Sequence, residues 1–235
     1  MNKNIISFKE VKKHFPTNEI VIKALNGLDF EISEGEFVVI VGPSGAGKTT
    51  MLNLLGGMEK PTSGEIIVDG QTISQFTDKQ LTEYRRKTVG FIFQFYNLMP
   101  NLTALENIEL ATEICKNSLS PIEALKSVDL ENRKNNFPAQ LSGGEQQRVS
   151  IARAVAKNPQ IILCDEPTGA LDYETGKKIL RVLYNICREQ RKTIIIVTHN
   201  SALKDMADKV IIVKNGLIEK IISNQLPKNI EEIEW

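Results

Sequence analysis

Cysteine is scarce in this 235-residue chain, and the three present, Cys115, Cys164 and Cys187, are odd in number and widely spaced. That argues against a disulfide framework or a Cys-x-x-Cys metal site and leaves buried reduced thiols as the expectation. Net charge is missing too: 29 basic residues cancel 29 acidic ones, so no overall positive field draws the chain to nucleic acid or anionic lipid. Long apolar runs are absent. Ile194 to Val197 and Val210 to Val213 are strand-sized, far short of the roughly 20 residues of a membrane-spanning helix. The start, Met1-Asn2-Lys3-Asn4, lacks the apolar segment and small-residue cleavage site of a signal peptide, so a cytoplasmic protein is expected. Neither an internal repeat nor a low-complexity tract interrupts the sequence. What remains is an ordinary globular composition with length enough for one large or two small cores.

Short alternating runs, Ile5 to Val11, Val21 to Ile32 and Gly64 to Val68, are separated by Gly, Asn and Pro and predict antiparallel strands. Between them, Glu36 to Val41 is a continuous β-branched run, the pattern of a strand buried on both faces. A helix is expected after it, from about Gly47 to Leu55. From Leu102 to Ala156 the signals become helical: Thr103 and Glu106 have capping-box spacing, and Ser120-Pro121 puts proline at a first helical position. Ile161 to Leu163, Thr193 to Val197 and Val210 to Val213 then form buried-strand runs separated by helical stretches. That order predicts a parallel sheet with crossover helices. The acidic tail, Asn229 to Trp235, predicts a short helix or a frayed end and carries no assigned function.

Chemistry concentrates in a few motifs. Gly42-Pro43-Ser44-Gly45-Ala46-Gly47-Lys48-Thr49, followed by Thr50, fits a phosphate loop set between a buried strand and a helix. Its glycines let backbone N–H groups wrap phosphate oxygens, and the helix N-terminus adds a positive dipole end. Lys48 would neutralise the β- and γ-phosphates, and the Thr49 hydroxyl would hold Mg²⁺. Downstream, Ile161 to Leu163 and Cys164 deliver Asp165 and Glu166 to a strand's C-terminal end, where ligands of parallel α/β sheets bind. One carboxylate can hold Mg²⁺; Glu166 can orient or deprotonate a water attacking the γ-phosphate. Without the phosphate loop, such a strand end is more often only a strand end. Leu141-Ser142-Gly143-Gly144-Glu145 sets serine and two glycines before a strong helical pattern, either a second anion-seeking helix tip or a plain helix start.

Taken in order, the phosphate loop, Gln94, the LSGGE run, Asp165-Glu166, Ala170-Leu171-Asp172 and His199 closely resemble the ABC-transporter ATPase family over essentially the whole chain. The resemblance implies an α/β fold: a P-loop NTPase (RecA-like) core with an antiparallel β subdomain and an inserted helical signature subdomain. Residues 1–235 would form a single ABC ATPase domain, with 1–94 and 157–235 as core and 95–156 as the helical part. It implies ATP and Mg²⁺ as ligands, ATP hydrolysis, and a head-to-tail homodimer sandwiching two nucleotides. By resemblance Ser142 and Gly144 meet the γ-phosphate bound to the partner's Lys48, and Gly143 and Glu145 belong to the same nucleotide-binding set, with Glu145 standing where glutamine is commoner. Gln94 matches the glutamine that senses Mg²⁺ and γ-phosphate, His199 the switch histidine, and Asp172 the aspartate crossing the interface; Gly169 replaces a usual serine. Phe15 falls where relatives have a tyrosine stacked on adenine, although an aromatic near a strand end is also ordinary core.

Val89 to Gln94, Asn97 to Pro100 and Leu102 to Asn107 are similar to the MacB, LolD, FtsE and bacitracin-type exporter ATPases. That similarity implies attachment to an integral membrane permease at the cytoplasmic face of the cell membrane, with a periplasmic or extracellular adaptor as a further partner and no nucleic acid. Phe95 to Pro100 is either part of the groove receiving the permease or core at a junction. An FtsE-like regulator of a cell-wall enzyme is the alternative to export, and a soluble ABC ATPase of DNA repair or translation a more distant one. Arg85-Arg86-Lys87 is expected to be a solvated helix end complementing the dipole.

Overall fold

The computed structural model describes residues 3–16 and 20–233; Met1-Asn2 and the last two residues of the expected tail, Glu234 and Trp235, lie outside the described residues. Two long strands come first, β1 (Asn4–Pro16) and β2 (Val21–Ser33), then β3 (Phe37–Val41) and helix α1 (Lys48–Leu55). Strands β4 (Ser63–Val68) and β5 (Gln71–Thr72), helix α2 (Asp78–Lys87) and strand β6 (Val89–Ile92) follow. Three helices occupy the middle: α3 (Ala104–Glu113), α4 (Pro121–Lys126) and α5 (Gly143–Ala156). The last third runs β7 (Ile161–Asp165), α6 (Tyr173–Gln190), β8 (Thr193–Thr198), β9 (Lys209–Lys214) and β10 (Leu217–Ser223).

These elements form two sheets among the described residues. One has the order β2-β1-β4-β5 and is antiparallel in its pairings; the other is β10-β9-β3-β8-β7-β6, parallel except where β10 turns back on β9. Strands β3 and β8 are buried at every residue, which is why their sequences read as unbroken β-branched runs rather than alternating ones. Alternation reappears in three dimensions. Phe37, Val39, Val41, Ile194 and Ile196 enter a core shared with α3 to α6, while Val38, Ile40, Ile195 and Val197 enter a second core shared with α1, β1, β2 and β4. The parallel sheet therefore has an apolar layer on each face.

The expected helix punctuation is present. Thr103 and Glu106 close a full capping box on α3, and Pro121 occupies the first turn of α4. Helix α2 ends at the expected basic run Arg85-Arg86-Lys87 and starts at an unannounced Thr77-x-x-Gln80 capping box; the edge strands β5 and β10 were not expected. Arg85 at the end of α2 departs from a purely solvated role: its guanidinium donates to the Gly57 carbonyl at 2.5 Å. Cys164 and Cys187 are buried free thiols, whereas Cys115 is only half-buried. No helix of the described residues is long and apolar enough to cross a membrane. Asn229 caps a short 3₁₀ turn, Ile230–Glu232, and Ile230 and Ile233 enter the core beside α6.

Candidate functional site

The turn between β3 and α1 takes its shape from glycine. At Gly47 φ is +100°, and a Cβ there would come within 2.5 Å of the Ala24 carbonyl oxygen; a Cβ on Gly42 would come within 2.1 Å of the Val213 carbonyl oxygen. Only a backbone without side chains threads between β2 and β9 in this way. The turn delivers Lys48 as the first residue of α1, 8% exposed, with its ammonium donating to the Gly42 carbonyl at 2.8 Å and the Pro43 carbonyl at 3.0 Å.

Beside it opens a cleft of about 430 Å³. Ser44 to Thr50, Gln94, Asp165 and Glu166 line it together. Strand pairing explains the convergence: β7 and β3 flank β8 in parallel register, so the phosphate loop and the two carboxylates leave the sheet at the same end. The Thr49 hydroxyl lies 3.4 Å from Asp165 Oδ1. Burial pushes the Asp165 carboxyl above its ordinary range, with the Thr49 hydroxyl pulling the other way, Glu166 adding to the rise and Lys48 opposing it. A half-buried carboxylate beside a hydroxyl, with Gln94 lining the same cleft, is a hard oxygen donor set, which fits Mg²⁺.

Glu166 has a positive φ of 48°, in the left-handed region that favours glycine. Its amide donates to the Val197 carbonyl at 2.9 Å. Its Oε2 accepts from the Thr198 hydroxyl at 2.9 Å, and its Oε1 accepts from the His199 amide and from His199 Nδ1, each at 2.8 Å. Since a carboxylate only accepts, this geometry assigns the ring proton to Nδ1. His199 itself is largely exposed, with 72% of its side chain open to solvent.

The remaining candidates form a second locus. Ser142 caps α5: its hydroxyl accepts from the Glu145 amide at 3.3 Å, and Glu145 Oε2 accepts from the Ser142 amide and hydroxyl at 2.8 and 2.9 Å. The hydrogen bond donated by the Ser142 amide holds the Glu145 carboxyl below its ordinary range, partly opposed by desolvation. Asp172 caps α6 through the Thr175 amide at 3.0 Å, and the Thr175 hydroxyl, with that amide behind it, lowers its carboxyl. A Cβ on Gly144 would come within 2.3 Å of Thr175 Cγ2, so the tips of α5 and α6 abut. None of Ser142, Gly143, Gly144, Glu145 and Asp172 lines the cleft.

Phe15 is not in the cleft wall either. It lies half-buried near the end of β1, opposite Ile22, with the Lys13 ammonium 4.8 Å from its ring centre; Ile22 and Lys23 line the cleft instead. Phe95 and Met99, beside Gln94, are 75% and 48% exposed, whereas Leu98 between them packs against the core.

Sequence reasoning missed three residues. Gln147, fully buried, donates from Nε2 to the Pro167 carbonyl at 2.9 Å and the Phe93 carbonyl at 3.4 Å, joining α5 to the loops after Glu166 and before Gln94. Arg133, on a 3₁₀ turn, reaches Glu145 Oε1 at 3.2 Å. Thr198 grips Glu166. Only the polar Gln147, falling within the apolar stripe of α5, leaves a trace in the sequence pattern.

The family model for ABC transporters matches residues 25–169. An uncharacterized ABC transporter ATP-binding protein of Methanocaldococcus jannaschii, MJ0796, is 46% identical over 92% of this chain and 96% of its own length. Its dimeric post-hydrolysis structure, bound to ADP and Pi, superposes with a TM-score of 0.85, covering 93% of this chain and 98% of that one. An ABC transporter ATP-binding protein homolog of Mycoplasma pneumoniae is 44% identical over 99% of this chain, which spans 50% of that relative's length. The lipoprotein-releasing system ATP-binding protein LolD of Syntrophus aciditrophicus is 42% identical over 91% of this chain and 98% of its own.

Proposed function

We propose that this chain, which belongs to the ABC transporter family, is the ATP-hydrolysing subunit of an export or release complex of the MacB/LolD type. One observation carries the hydrolytic part: a lysine-bearing glycine turn and the adjacent carboxylates Asp165 and Glu166 meet in a single cleft large enough for a triphosphate. The Ser142 helix tip does not line that cleft, and a second copy of the chain, placed head to tail, supplies it. Support comes from the M. jannaschii cassette, which is described as dimeric and bound to ADP and Pi.

In this scheme the backbone N–H groups of the loop and the start of α1 wrap the phosphates, and Lys48 leaves its two carbonyls to neutralise them. Thr49, Asp165 and Gln94 would hold Mg²⁺, which would supply charge neutralisation to the phosphates when bound. Glu166 Oε1 takes up the attacking water. His199, exposed and attached to that same oxygen, transfers its contact to the γ-phosphate. Ser142 and Gly144 of the other copy close the far side, and Asp172 crosses the interface. Residues 1–94 and 157–235 act as the core, and 95–156 as the arm that moves against it.

A permease partner at the cytoplasmic membrane face fits the exposed Phe95 and Met99 next to Gln94, since such a patch couples nucleotide state to whatever rests on it. The test has two arms. Glu166→Gln is expected to nearly abolish turnover, by the 10²- to 10⁴-fold typical of general-base removal, while trapping an ATP-bound dimer. Wild-type hydrolysis, or a strict monomer with ATP and Mg²⁺, contradicts the scheme. The membrane protein that co-purifies, reconstituted with the chain, then separates substrate export from FtsE-like regulation without transport.

A further inference from the structure

We infer that Thr198 is the positioning residue of the hydrolytic carboxylate: its buried hydroxyl fixes Glu166 Oε2, so that Oε1 is the oxygen presented to the attacking water. The inference rests on Glu166 being the hydrolytic base and goes beyond it by dividing the two oxygens between two tasks.

Thr198 is the last residue of β8 and 1% exposed. Its register neighbour on one side is Val41, the residue from which the phosphate loop departs; on the other side Val197 pairs with Asp165. A group fixed at this point is thus referenced to both the phosphate loop and Asp165. The hydroxyl has one proton to give. Its lone-pair side accepts from the Asn200 amide at 3.0 Å, which turns that proton toward Glu166 Oε2 at 2.9 Å. A β-branched residue in a strand also has little rotamer freedom.

The two oxygens of Glu166 therefore have unlike environments. Oε2 is bound to a buried hydroxyl on a central strand. Oε1 is bound to the amide and ring of His199, whose ring is exposed and free to swing away. The Glu166 backbone, in the left-handed region, is tied by its amide to the Val197 carbonyl and by its carbonyl to the Gly169 amide, and neither tie sets the rotation of the carboxyl group, which falls to the bonds at its two oxygens. Without the hydroxyl, Oε2 loses its donor and the carboxylate rotates away from the line of attack.

The experiment compares Thr198→Val, Thr198→Ser and Glu166→Gln in the full chain. Thr198→Val keeps the shape and removes the hydroxyl. Its kcat is expected to fall roughly 10- to 100-fold, the penalty typical of misplacing a reacting group by about 1 Å. KM for ATP and the calorimetric affinity for a non-hydrolysable analogue are expected to remain at the wild-type level, and Thr198→Ser to recover most of kcat. A general packing defect would lower affinity and melting temperature together and would not be rescued by serine. Should the valine variant aggregate, Thr198→Ala gives the same readout. Wild-type or increased kcat in Thr198→Val, or serine as slow as valine, overturns the inference. Glu166→Gln separates the two levels: if it hydrolyses at the wild-type rate the base itself is wrong, whereas an inactive Glu166→Gln beside a fully active Thr198→Val overturns the anchor alone.

Discussion

The Lys48 ammonium and the Gly42 carbonyl oxygen, six residues apart in one loop, lie 2.8 Å from each other, so the cation is held by backbone dipoles and not by a carboxylate. An incoming phosphate competes only with neutral acceptors for it. Lys48→Ala is expected to weaken ATP binding roughly 10- to 100-fold, the worth of a charge-assisted hydrogen bond of about 1.5–3 kcal/mol, with little change in folding. Isothermal calorimetry with a non-hydrolysable analogue checks this; an unaltered dissociation constant removes Lys48 from the phosphate site.

Asp165 yields a prediction about pH and metal. Its carboxyl is raised, chiefly by burial, so the folded state binds a proton more readily than the unfolded state does. Stability from this group is therefore complete below the ordinary aspartate range and falls as pH rises through the raised folded value. At neutral pH the charged form is a penalty. Asp165→Asn is expected to melt higher than wild type in the absence of metal, and added Mg²⁺ to raise the wild-type transition but not that of the variant. Differential scanning fluorimetry across pH 4–8 reads both effects; a variant that melts lower at neutral pH contradicts the burial argument.

Much of this site was legible before any coordinates. The phosphate loop, Asp165-Glu166 and the helix start at Ser142 announce themselves because each depends on chemistry within a few neighbouring residues: glycine at a strained turn, carboxylates after an apolar strand, serine and two glycines before a helical pattern. The unbroken apolar runs of β3 and β8 are equally plain, since burial on both faces removes alternation. Edge strand β10 escaped because only Ile218 and Ile222 along it are even half-buried, and of α2 only the basic end was legible because its apolar stripe is two residues, Leu81 and Tyr84. Thr198, Gln147 and Arg133 were invisible for another reason. Their partners lie 32, 20 and 12 residues away, and nothing local marks a long-range hydrogen bond.

Gln147 is such a residue. Its side-chain amide is the donor for the Pro167 carbonyl and, at longer range, the Phe93 carbonyl in a site with no exposure. Gln147→Leu is expected to destabilise the fold by about 1–3 kcal/mol, because a buried carbonyl is left without its donor. Chemical denaturation measures it. Hydrolysis is expected to fall too, as the loops carrying Gln94 and Glu166 lose their common tie to α5; a stable, fully active variant contradicts the tie.

Glu145 and Arg133 make a separable pair. Glu145 sets a negative charge beside the helix tip proposed to meet a γ-phosphate, and Arg133 offsets it at 3.2 Å. Arg133→Gln is expected to weaken ATP-driven dimerisation in the Glu166→Gln background by a few-fold, within the ~1 kcal/mol of a partly exposed ion pair. Glu145→Gln added to Arg133→Gln is expected to restore it, whereas a loss through altered packing would persist in the double variant. Acid has its own effect: the Glu145 carboxyl lies below its ordinary range, so its share of the α5 cap is complete above the ordinary glutamate value and lost as pH falls through the lowered folded one.

The inward and outward residues of β3 and β8 belong to different apolar layers, one under α1 and the other under α3 to α6. The sheet is thus a partition wall with a tenant on each side. The helix proposed to hold a nucleotide and the helix proposed to meet a neighbour's nucleotide rest on opposite faces of it, so the apolar layer beneath one is not the layer beneath the other.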